Sequence, residues 1–332
     1  MRKDFLKKSM AFFCALGFLF GCSCTWGADK GEITVYMPDG APALALAKLM
    51  SEDTKEDGVT YRVVKNDVIS SKVTYTDMEK NADFCVLPIT AAAQLLGSGK
   101  NYLMLGAVTH GNLYILSKTD THLTDLSSLV GKKVGVLQMA QVPGLTLKAT
   151  LTKHGVAWQE YTNGDIMSED KVNLMAISDV NAVGVIEADY FMLAEPAASK
   201  QAEKGYSIVG NVQALYGGDG YTQAVLVAKK SFVEKNLAWT NTFTQSVATA
   251  AEWLKTASGA EIVSAVNTHM EDKSMASDLK APLLSLEVLS RCGVRYVSAK
   301  DCKEKTNAFL QNLLEVAPKS TAIPSDAFYW NY

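Results

Sequence analysis

From residue 32 onwards, short apolar runs alternate with longer segments in which apolar residues recur at helical spacing. The first unit, "ITVYMPDGAPALALAKLM" (33–50), begins as an apolar strand, passes through a loop rich in proline and glycine, and continues as an apolar helix. Strands that alternate with helices in this way are typical of α/β proteins whose sheets are mainly parallel. The pattern therefore predicts an α/β fold.

The strand-to-helix junctions come in two sets, and their order is the same in each set. "KKVGVLQMAQVPGLTLKATLTKHG" (132–155) repeats the plan of residues 33–50. "ADFCVLPITAAAQLL" (82–96) and "VNAVGVIEADYFMLA" (180–194) both read as an apolar strand that passes almost directly into a helix. We therefore predict two α/β lobes built on one plan, each a mostly parallel sheet flanked by helices.

Two long extended segments, 102–118 and 217–230, flank the second set of junctions and suit a pair of crossings between the lobes. The C-terminal third has helical periodicity. The predicted organisation is lobe 1 from 31–112 plus 223–332, lobe 2 from 117–220, and crossings near 109–117 and 219–224.

Parallel sheets place ligand crevices outside the carboxyl ends of their strands. Helices that begin there direct unpaired N–H groups and a partial positive charge into the crevice. Two facing lobes would thus surround a small molecule with four helix starts. The alternative is that each junction is only a stable strand-to-helix turn with no role in binding.

The N-terminal segment 1–28 has the pattern of a targeting leader, with a basic start followed by an apolar run over 10–20 that is too short to span a bilayer. It ends in Leu-Phe-Gly-Cys, which resembles a bacterial lipobox in which Cys22 is lipidated and becomes the first residue. The alternative is ordinary signal cleavage near Gly27 or Ala28, which would discard Cys22. Both readings place the mature protein outside the cytoplasm.

Composition narrows the function further. The 332-residue chain has a net charge of −3 and no basic run, so nucleic acid is not an expected partner. The four histidines are far apart in sequence and no histidine or cysteine cluster has metal-ligand spacing, so we expect neither a metal nor a cofactor. Cys85, within an apolar run, reads as a buried inert thiol. Cys292 and Cys302 either form a disulfide or remain free.

Enzymatic motifs are missing from the sequence. It contains no G-x-S-x-G and no H-E-x-x-H, and the first strand is not followed by G-x-G-x-x-G. "GSGKN" (97–101) lacks the spacing of a phosphate-binding loop and reads as a polar turn. We therefore predict a protein that is not an enzyme.

The order of these segments over nearly the whole mature chain resembles the solute-binding proteins of ABC transporters in the group called SsuA/THI5-like or NMT1-like. The matching stretches are "PDGAPALALAKLM", "NADFCVLPITAAAQLL", "GNLYILSKTDTHLTDLSSLVGKKVGVLQ", "GGDGYTQAVLVAKKSFVEKN" and the tail ending in "PSDAFYW". The resemblance implies the two-lobed type II periplasmic-binding-protein fold. It also implies a monomer that captures a small molecule outside the cytoplasm, is held at the membrane by a lipid anchor, and delivers its cargo to an ABC permease and its ATPase.

Two departures from the family pattern stand out. The family often has Leu-Pro-Glu-Pro at the strand end of the second lobe, whereas we align Val185-Ile186-Glu187-Ala188 there, which keeps the acid and loses both prolines. The fungal pyrimidine synthases of the superfamily carry a cysteine-rich cluster, and this sequence has none. That difference argues against the enzymatic branch.

The resemblance implies ligand contacts from the junction loops. Alternatives exist for several positions: Asp39 could be a cap or turn residue, Thr90 a cap, His110 a satisfied strand-end histidine, and Asp219 a turn residue. Glu187 is the sharpest candidate, because a carboxylate at the end of a buried strand needs a partner. The candidate residues are Asp39, Gly40, Ala41, Pro88, Thr90, Thr109, His110, Gln141, Gly144, Thr146, Glu187, Asp189, Asp219, Tyr221 and Gln223.

These candidates include carboxylates and aromatic groups but no arginine, the usual bidentate partner of carboxylates and sulfonates. We therefore expect a neutral or cationic heterocycle, such as a thiamine-pyrimidine precursor. A sulfonate, taurine or nitrate remains open, because helix N-termini alone can bind anions. Two alternatives to a transporter component also remain open, an exported interaction protein or adhesin on the same scaffold and a THI5-like pyrimidine-synthesising enzyme.

Overall fold

The computed structural model describes residues 32–54, 58–119, 122–123 and 125–332. The predicted leader 1–28, with Cys22, lies outside the described residues. Within them the strands are β1 (Ile33–Pro38), β2 (Val59–Val64), β3 (Phe84–Pro88), β4 (Tyr102–Thr109), β5 (Leu113–Ser117), β6 (Lys133–Leu137), β7 (Trp158–Tyr161), β8 (Val172–Ile177), β9 (Tyr190–Ala194), β10 (Ser207–Asn211), β11 (Ala224–Lys229) and β12 (Val294–Ser298).

The helices flank these strands, and several of them begin within a few residues of a strand end. They are α1 (Ala41–Leu44), α2 (Ala47–Ser51), α3 (Ile89–Leu96), α4 (Val142–Lys153), α5 (Ala197–Ala202), α6 (Val212–Tyr216), α7 (Lys230–Lys235), α8 (Leu237–Trp253), α9 (Gly259–Thr268), α10 (Leu286–Arg291) and α11 (Ala299–Val316). None of the described helices is long and apolar enough to cross a membrane.

The strands form two six-stranded sheets, which confirms the predicted two-lobed α/β fold. The first sheet has the order β12-β4-β11-β3-β1-β2, and the second has the order β10-β5-β9-β6-β8-β7. Both sheets are mixed: β1, β2 and β3 run parallel in the first sheet, as do β6, β7, β8 and β9 in the second. The strands that lead into and out of the crossings run antiparallel to their neighbours.

The chain passes between the sheets twice. It leaves β4 at Thr109 and enters β5 at Leu113, and it returns from β10 through α6 and residues 217–223 to β11. The strands of the first sheet come from both ends of the described chain, and those of the second sheet come from its middle. The lobe boundaries drawn from the sequence stay a prediction.

The first crossing, residues 110–112, is too tightly packed to accept side chains on the glycines around it. Gly111 (φ 89°) lies in the left-handed region, and a Cβ there would lie 2.5 Å from the side chain of Gln213. Gly293 (φ 64°) approaches from the start of β12, where a Cβ would lie 2.1 Å from the carbonyl oxygen of Gly111. Only glycine combines this backbone conformation with so close an approach.

Alternate residues of β11 pack into two different core clusters, one on each face of the first sheet. Leu226 packs with the cluster that includes Cys292, and Val227 packs with the cluster that includes Cys302, on the other face of the sheet. Because the two cysteines lie on opposite faces, they do not pair, and Cys85, Cys292 and Cys302 are all buried free thiols. The disulfide alternative is therefore wrong, and the interpretation of Cys85 is confirmed.

Replacing Gly293 with alanine tests the packing at the first crossing. We expect Gly293→Ala to lower the free energy of unfolding by about 2–5 kcal/mol, because the strain of a left-handed backbone and the overpacking of the new Cβ both destabilise the fold. The matched control is Gly155→Ala, at φ 68° with no atom within 4 Å of the new Cβ, which should cost about 1 kcal/mol of strain alone. Urea unfolding of both variants measures the difference, and equal losses would contradict this account of the crossing.

Candidate functional site

The carboxyl end of the first sheet brings together three of the predicted junctions. Ala224 at the start of β11 pairs with Pro88 on one side and with Thr109 on the other. The backbone N–H of Gln223 donates to the carbonyl of Thr109 at 3.0 Å, and the N–H of Ile89 donates to the carbonyl of Gln223 at 3.0 Å. Pro88, Thr109 and Gln223 therefore form one continuous edge, at which α3 begins.

Asp39 follows β1 at the same end of the sheet, and its carboxylate is engaged within the protein. Oδ1 accepts from the Ser277 hydroxyl at 2.6 Å and from the Gly40 N–H at 2.8 Å, and Oδ2 accepts from the Asp278 N–H at 2.7 Å. Asp39 is 4% exposed and Ala41 is buried, while Gly40 (φ 94°) has open space where a Cβ would be. Asp39 thus fixes the loop before α1, as the turn alternative proposed.

Several buried polar atoms at the crossings have no hydrogen-bond partner among the described residues. They are Thr109 Oγ1, His110 Nε2, Asn112 Oδ1 and Gln223 Oε1. Buried polar atoms without partners are costly, so such groups call for water or a ligand. The backbone carbonyl of Thr90, at the start of α3, accepts from the Thr321 hydroxyl at 3.2 Å.

The carboxyl end of the second sheet carries the β6–α4 junction. Gln141 is exposed at the N-cap position of α4, and its side chain makes no capping bond. Gly144 lies against the carbonyl of Met139, where a Cβ would come within 2.2 Å. Thr146 is fully buried, and its hydroxyl donates to the Val142 carbonyl at 2.6 Å. Gly144 and Thr146 therefore shape the helix start, and Gln141 is the group that reaches outwards.

Glu187 does not lie at the end of a buried strand, so the reason for which the sequence singled it out is wrong. The strand in this region is Tyr190–Ala194, so Glu187 is an exposed residue before it rather than at its end. Asp189 is also exposed, and its carboxylate accepts from the Lys133 N–H at 2.8 Å at the start of β6. Since β6 and β9 run parallel, Asp189 marks the amino end of these strands, away from the end where the other candidates lie.

The acid at the true strand end is Glu195, which sequence reasoning missed. The sequence Leu193-Ala194-Glu195-Pro196 keeps three of the four residues of the family's Leu-Pro-Glu-Pro, eight positions beyond the assumed match. Glu195 is 2% exposed. The apolar run before Glu187 was mistaken for the strand, whereas Pro196 was the signal that could have located the strand end.

The partner of Glu195 is Arg291, at the end of α10 beside the first sheet. The Arg291 Nε donates to Glu195 Oε1 at 2.7 Å, and Nη2 donates to the Ser199 hydroxyl at 2.9 Å. The Ser199 hydroxyl in turn donates to Glu195 at 2.8 Å. An arginine therefore lies near the candidate site, contrary to the expectation from the junction loops.

The second crossing places Asp219 and Tyr221 in different roles. Asp219 is exposed and pairs with Lys305 at 3.1 Å, and this hydrogen bond and charge lower the pKa of the carboxyl. Tyr221 is 3% exposed, stacks on the Phe309 ring at 4.9 Å between centroids, and donates to Gln213 Oε1 at 3.2 Å. Neither residue supplies an unpaired negative charge.

Taken together, the predicted residues divide into two sets. The residues at the strand ends or crossings are Asp39, Gly40, Ala41, Pro88, Thr90, Thr109, His110, Gln141, Gly144, Thr146, Asp219, Tyr221 and Gln223. Glu187 and Asp189 lie elsewhere. Within the described part of the chain, no group of three or more histidine, cysteine or acidic side chains could hold a metal ion.

Two sheets joined by two crossings, with helix starts at the carboxyl ends of parallel strands, define the two-lobed periplasmic-binding-protein fold. A family model described as NMT1/THI5 like matches residues 55–257, which is more than half of the sequence, and the chain belongs to this family. The resemblance stated from the sequence is thereby confirmed.

One curated relative is YtlA of Bacillus subtilis (strain 168), provisionally named a binding protein. It is 24% identical over 163 residues, a match that covers 48% of this chain and 46% of YtlA. The chain thus matches about half the length of this relative.

Solved structures share the fold at low sequence identity. An ABC transporter protein from Parabacteroides distasonis has a TM-score of 0.68 at 16% identity, with 91% of this chain and 99% of that chain covered. The periplasmic aliphatic sulphonate binding protein SsuA from Escherichia coli has a TM-score of 0.63 at 16% identity, with 91% and 92% covered. The alkanesulfonate-binding protein SsuA from Xanthomonas axonopodis pv. citri, bound to MOPS, has a TM-score of 0.57 at 15% identity, with 90% and 98% covered.

Replacing Asp39 tests whether its carboxylate is structural. Asp39→Ala leaves the Ser277 hydroxyl and two backbone N–H groups without their acceptor, so we expect a loss of about 2–4 kcal/mol in unfolding free energy. Glu187→Ala, at an exposed carboxylate, should change the same quantity by less than about 0.5 kcal/mol. Urea unfolding at neutral pH compares the two variants, and a small effect at Asp39 would remove its structural role.

The buried His110 predicts a pH dependence. Burial, aided by the nearby charges of Arg295 and Lys305, lowers the pKa of His110 to about 4. The unfolded chain therefore binds a proton near pH 6.5 that the folded protein takes up only near pH 4, so stability falls as the pH falls through this window. We expect wild type to lose about 3 kcal/mol more than His110→Gln between pH 7 and pH 4. Urea unfolding at several pH values measures this, and parallel curves for the two proteins would contradict it.

Proposed function

We propose that the protein is the extracytoplasmic solute-binding component of an ABC importer, capturing a small organic molecule between its two lobes and delivering it to a membrane permease. The observation that carries the proposal is the pair of sheets whose candidate residues gather at strand ends next to the two crossings. A ligand that contacts both lobes favours the arrangement in which both sets of groups reach it. Family membership and relatives named as binding proteins support the proposal.

The protein acts in this proposal without covalent chemistry. The buried groups at the strand ends are hydroxyl, imidazole and amide atoms, and the thiols of Cys85 and Cys292 have pKa values raised by burial, which disfavours the nucleophilic thiolate. A THI5-like pyrimidine-synthesising enzyme is the alternative within the family. An exported interaction protein or adhesin on the same scaffold is the alternative outside transport.

For the ligand we propose a neutral heterocycle that carries N–H or O–H donors, such as a thiamine-pyrimidine precursor. A cationic ligand is not favoured, because Glu187 lies away from the strand ends and Asp219 is paired with Lys305. The acceptor atoms Asn112 Oδ1 and Gln223 Oε1 support a ligand that donates hydrogen bonds. The amide of Asn112 is oriented by its Nδ2, which donates to the Glu195 carbonyl.

A sulfonate, taurine or nitrate is the second candidate class. The solved relatives named as sulfonate-binding proteins favour it for this fold, and the N-termini of α3 and α4 suit an anion. Arg291 favours an anion less than its charge suggests, because its guanidinium already bonds to Glu195 and Glu287.

The cellular setting of the proposal follows from the leader. Export places the protein on the outer side of the cytoplasmic membrane, where lipidation of Cys22 would hold the monomer close to its permease and ATPase. Cleavage near Gly27 or Ala28 would instead release the mature chain without a lipid anchor.

A thermal-unfolding screen of the purified protein tests the proposal and the ligand class together. One panel holds amino-pyrimidines, thiamine precursors and flavins, and the other holds taurine, alkanesulfonates, nitrate and bicarbonate. A compound at a hundred times its dissociation constant adds about 2.7 kcal/mol, which raises the midpoint by a few degrees. We expect a shift with a heterocycle.

Matched variants locate the site. Gln223→Leu removes an acceptor at the first-sheet edge and should abolish the shift, whereas Glu187→Gln should keep it. A shift with sulfonates alone would replace the ligand class. If no compound in either panel shifts the midpoint, and none is found bound in the purified protein, the transport proposal fails.

A further inference from the structure

Glu195 and Arg291 lie on opposite sides of the first crossing. Glu195 directly follows β9, which pairs with β5 on the second-sheet side through Ala194 and Leu113. Arg291 directly precedes the turn into β12, which pairs with β4 on the first-sheet side. The side-chain contact between them therefore spans from one sheet to the other, beside a covalent connection that is only three residues long.

Both residues are also tied to the crossing itself. The N–H of Glu195 donates to the Asn112 carbonyl at 2.8 Å, and Asn112 Nδ2 donates back to the Glu195 carbonyl at 3.1 Å. On the other side, the N–H of His110 donates to the Gly293 carbonyl at 2.9 Å, two residues after Arg291. The ion pair closes a ring of contacts around the crossing.

Separating the two charged groups would cost free energy, because water cannot readily replace their contact. The Glu195 side chain is 0% exposed and that of Arg291 is 22% exposed. A buried carboxylate without its cation is strongly unfavourable, so a lobe movement that separated the pair would leave Glu195 uncompensated. The Ser199 hydroxyl, which contacts both partners, adds a second bond across the same gap.

Packing does not fill the space next to the pair. A crevice of about 360 Å³ lies between α5 and the segment leading through α10, lined by Ala202 and Glu203 on one side and by Leu283 and Val288 on the other. Arg291 and Ser199 line the same crevice. Beside this crevice, the direct bonds between the two halves are the polar ones among Arg291, Glu195 and Ser199.

We propose that Arg291 is a positioning residue that braces the first crossing and limits how far the two lobes rotate relative to each other. The inference rests on the proposed function in one respect: the brace affects ligand capture only if the lobes move when the ligand binds. With the brace intact, the strand ends of the two sheets stay near one arrangement. Without it, arrangements in which they no longer face a common ligand become populated, and the apparent affinity falls with the fraction of competent protein.

Interlobe distances measured without any ligand test this proposal. Spin labels at Ala176→Cys in β8 and Ala248→Cys in α8, both exposed positions, report the distance between the two halves by double electron–electron resonance. The three buried native thiols stay unlabelled, and the full chain carries Cys14→Ser, Cys22→Ser and Cys24→Ser. We expect Arg291→Gln to broaden the distance distribution by at least half of its wild-type width.

Two further variants keep the test decisive. The control is Lys72→Met, which breaks an ion pair of 2.7 Å between Lys72 and Glu271. The Lys72 side chain is 14% exposed, and this pair lies beside the first sheet only. The control should therefore leave the distance distribution unchanged. The double variant Glu195→Gln, Arg291→Gln removes both charges and leaves no buried charge unpaired. It can be measured if Arg291→Gln alone does not fold, and it should also broaden the distance distribution. An unchanged distribution in the folded Arg291 variants, or equal broadening in Lys72→Met, would overturn the proposal. Because these distances are measured without ligand, a thermal-unfolding screen that finds no binder would not change the conclusion about the brace.

Discussion

The lack of space at the first crossing is the constraint on which the rest of the molecule depends. Three residues carry the chain from one sheet to the other, and the carbonyl of Gly111 lies where any side chain on Gly293 would be. The start of β12 can approach the crossing this closely only because residue 293 is a glycine. Arg291, two residues before Gly293, is brought to the crossing by that close approach, within reach of Glu195.

The carboxylates of Asp39, Asp189, Asp219 and Glu195 are all engaged within the protein. Asp39 is held by three donors, Asp189 by the start of β6, Asp219 by Lys305 and Glu195 by Arg291. The strand ends therefore present polar atoms rather than net charge. A ligand at such a site is selected by hydrogen-bond geometry and shape more than by its own charge, because charged groups already paired within the protein attract a ligand only weakly.

The fold could be predicted from the sequence because it depends on local pattern. Apolar runs followed at once by helical periodicity located β1, β3 and β6 and the helices after them. The strand that ends before Glu195 is misplaced in the sequence-based prediction because the apolar residues before Glu187 look like a strand over a short window, and periodicity alone does not identify a short apolar run as a strand. Pairing with β5 and β6 decides the matter, and pairing is a property of the folded sheet. Contacts such as Arg291 with Glu195, 96 positions apart, leave no local signal at all.

The separation of the three buried thiols has a consequence for production of the protein. Cys292 and Cys302 lie on opposite faces of the first sheet, and Cys85 is enclosed within β3, so the fold over the described residues needs no oxidant to form. We therefore expect the chain from residue 32 onwards to fold under reducing as well as oxidising conditions. We likewise expect reductants added during purification to leave the described fold intact.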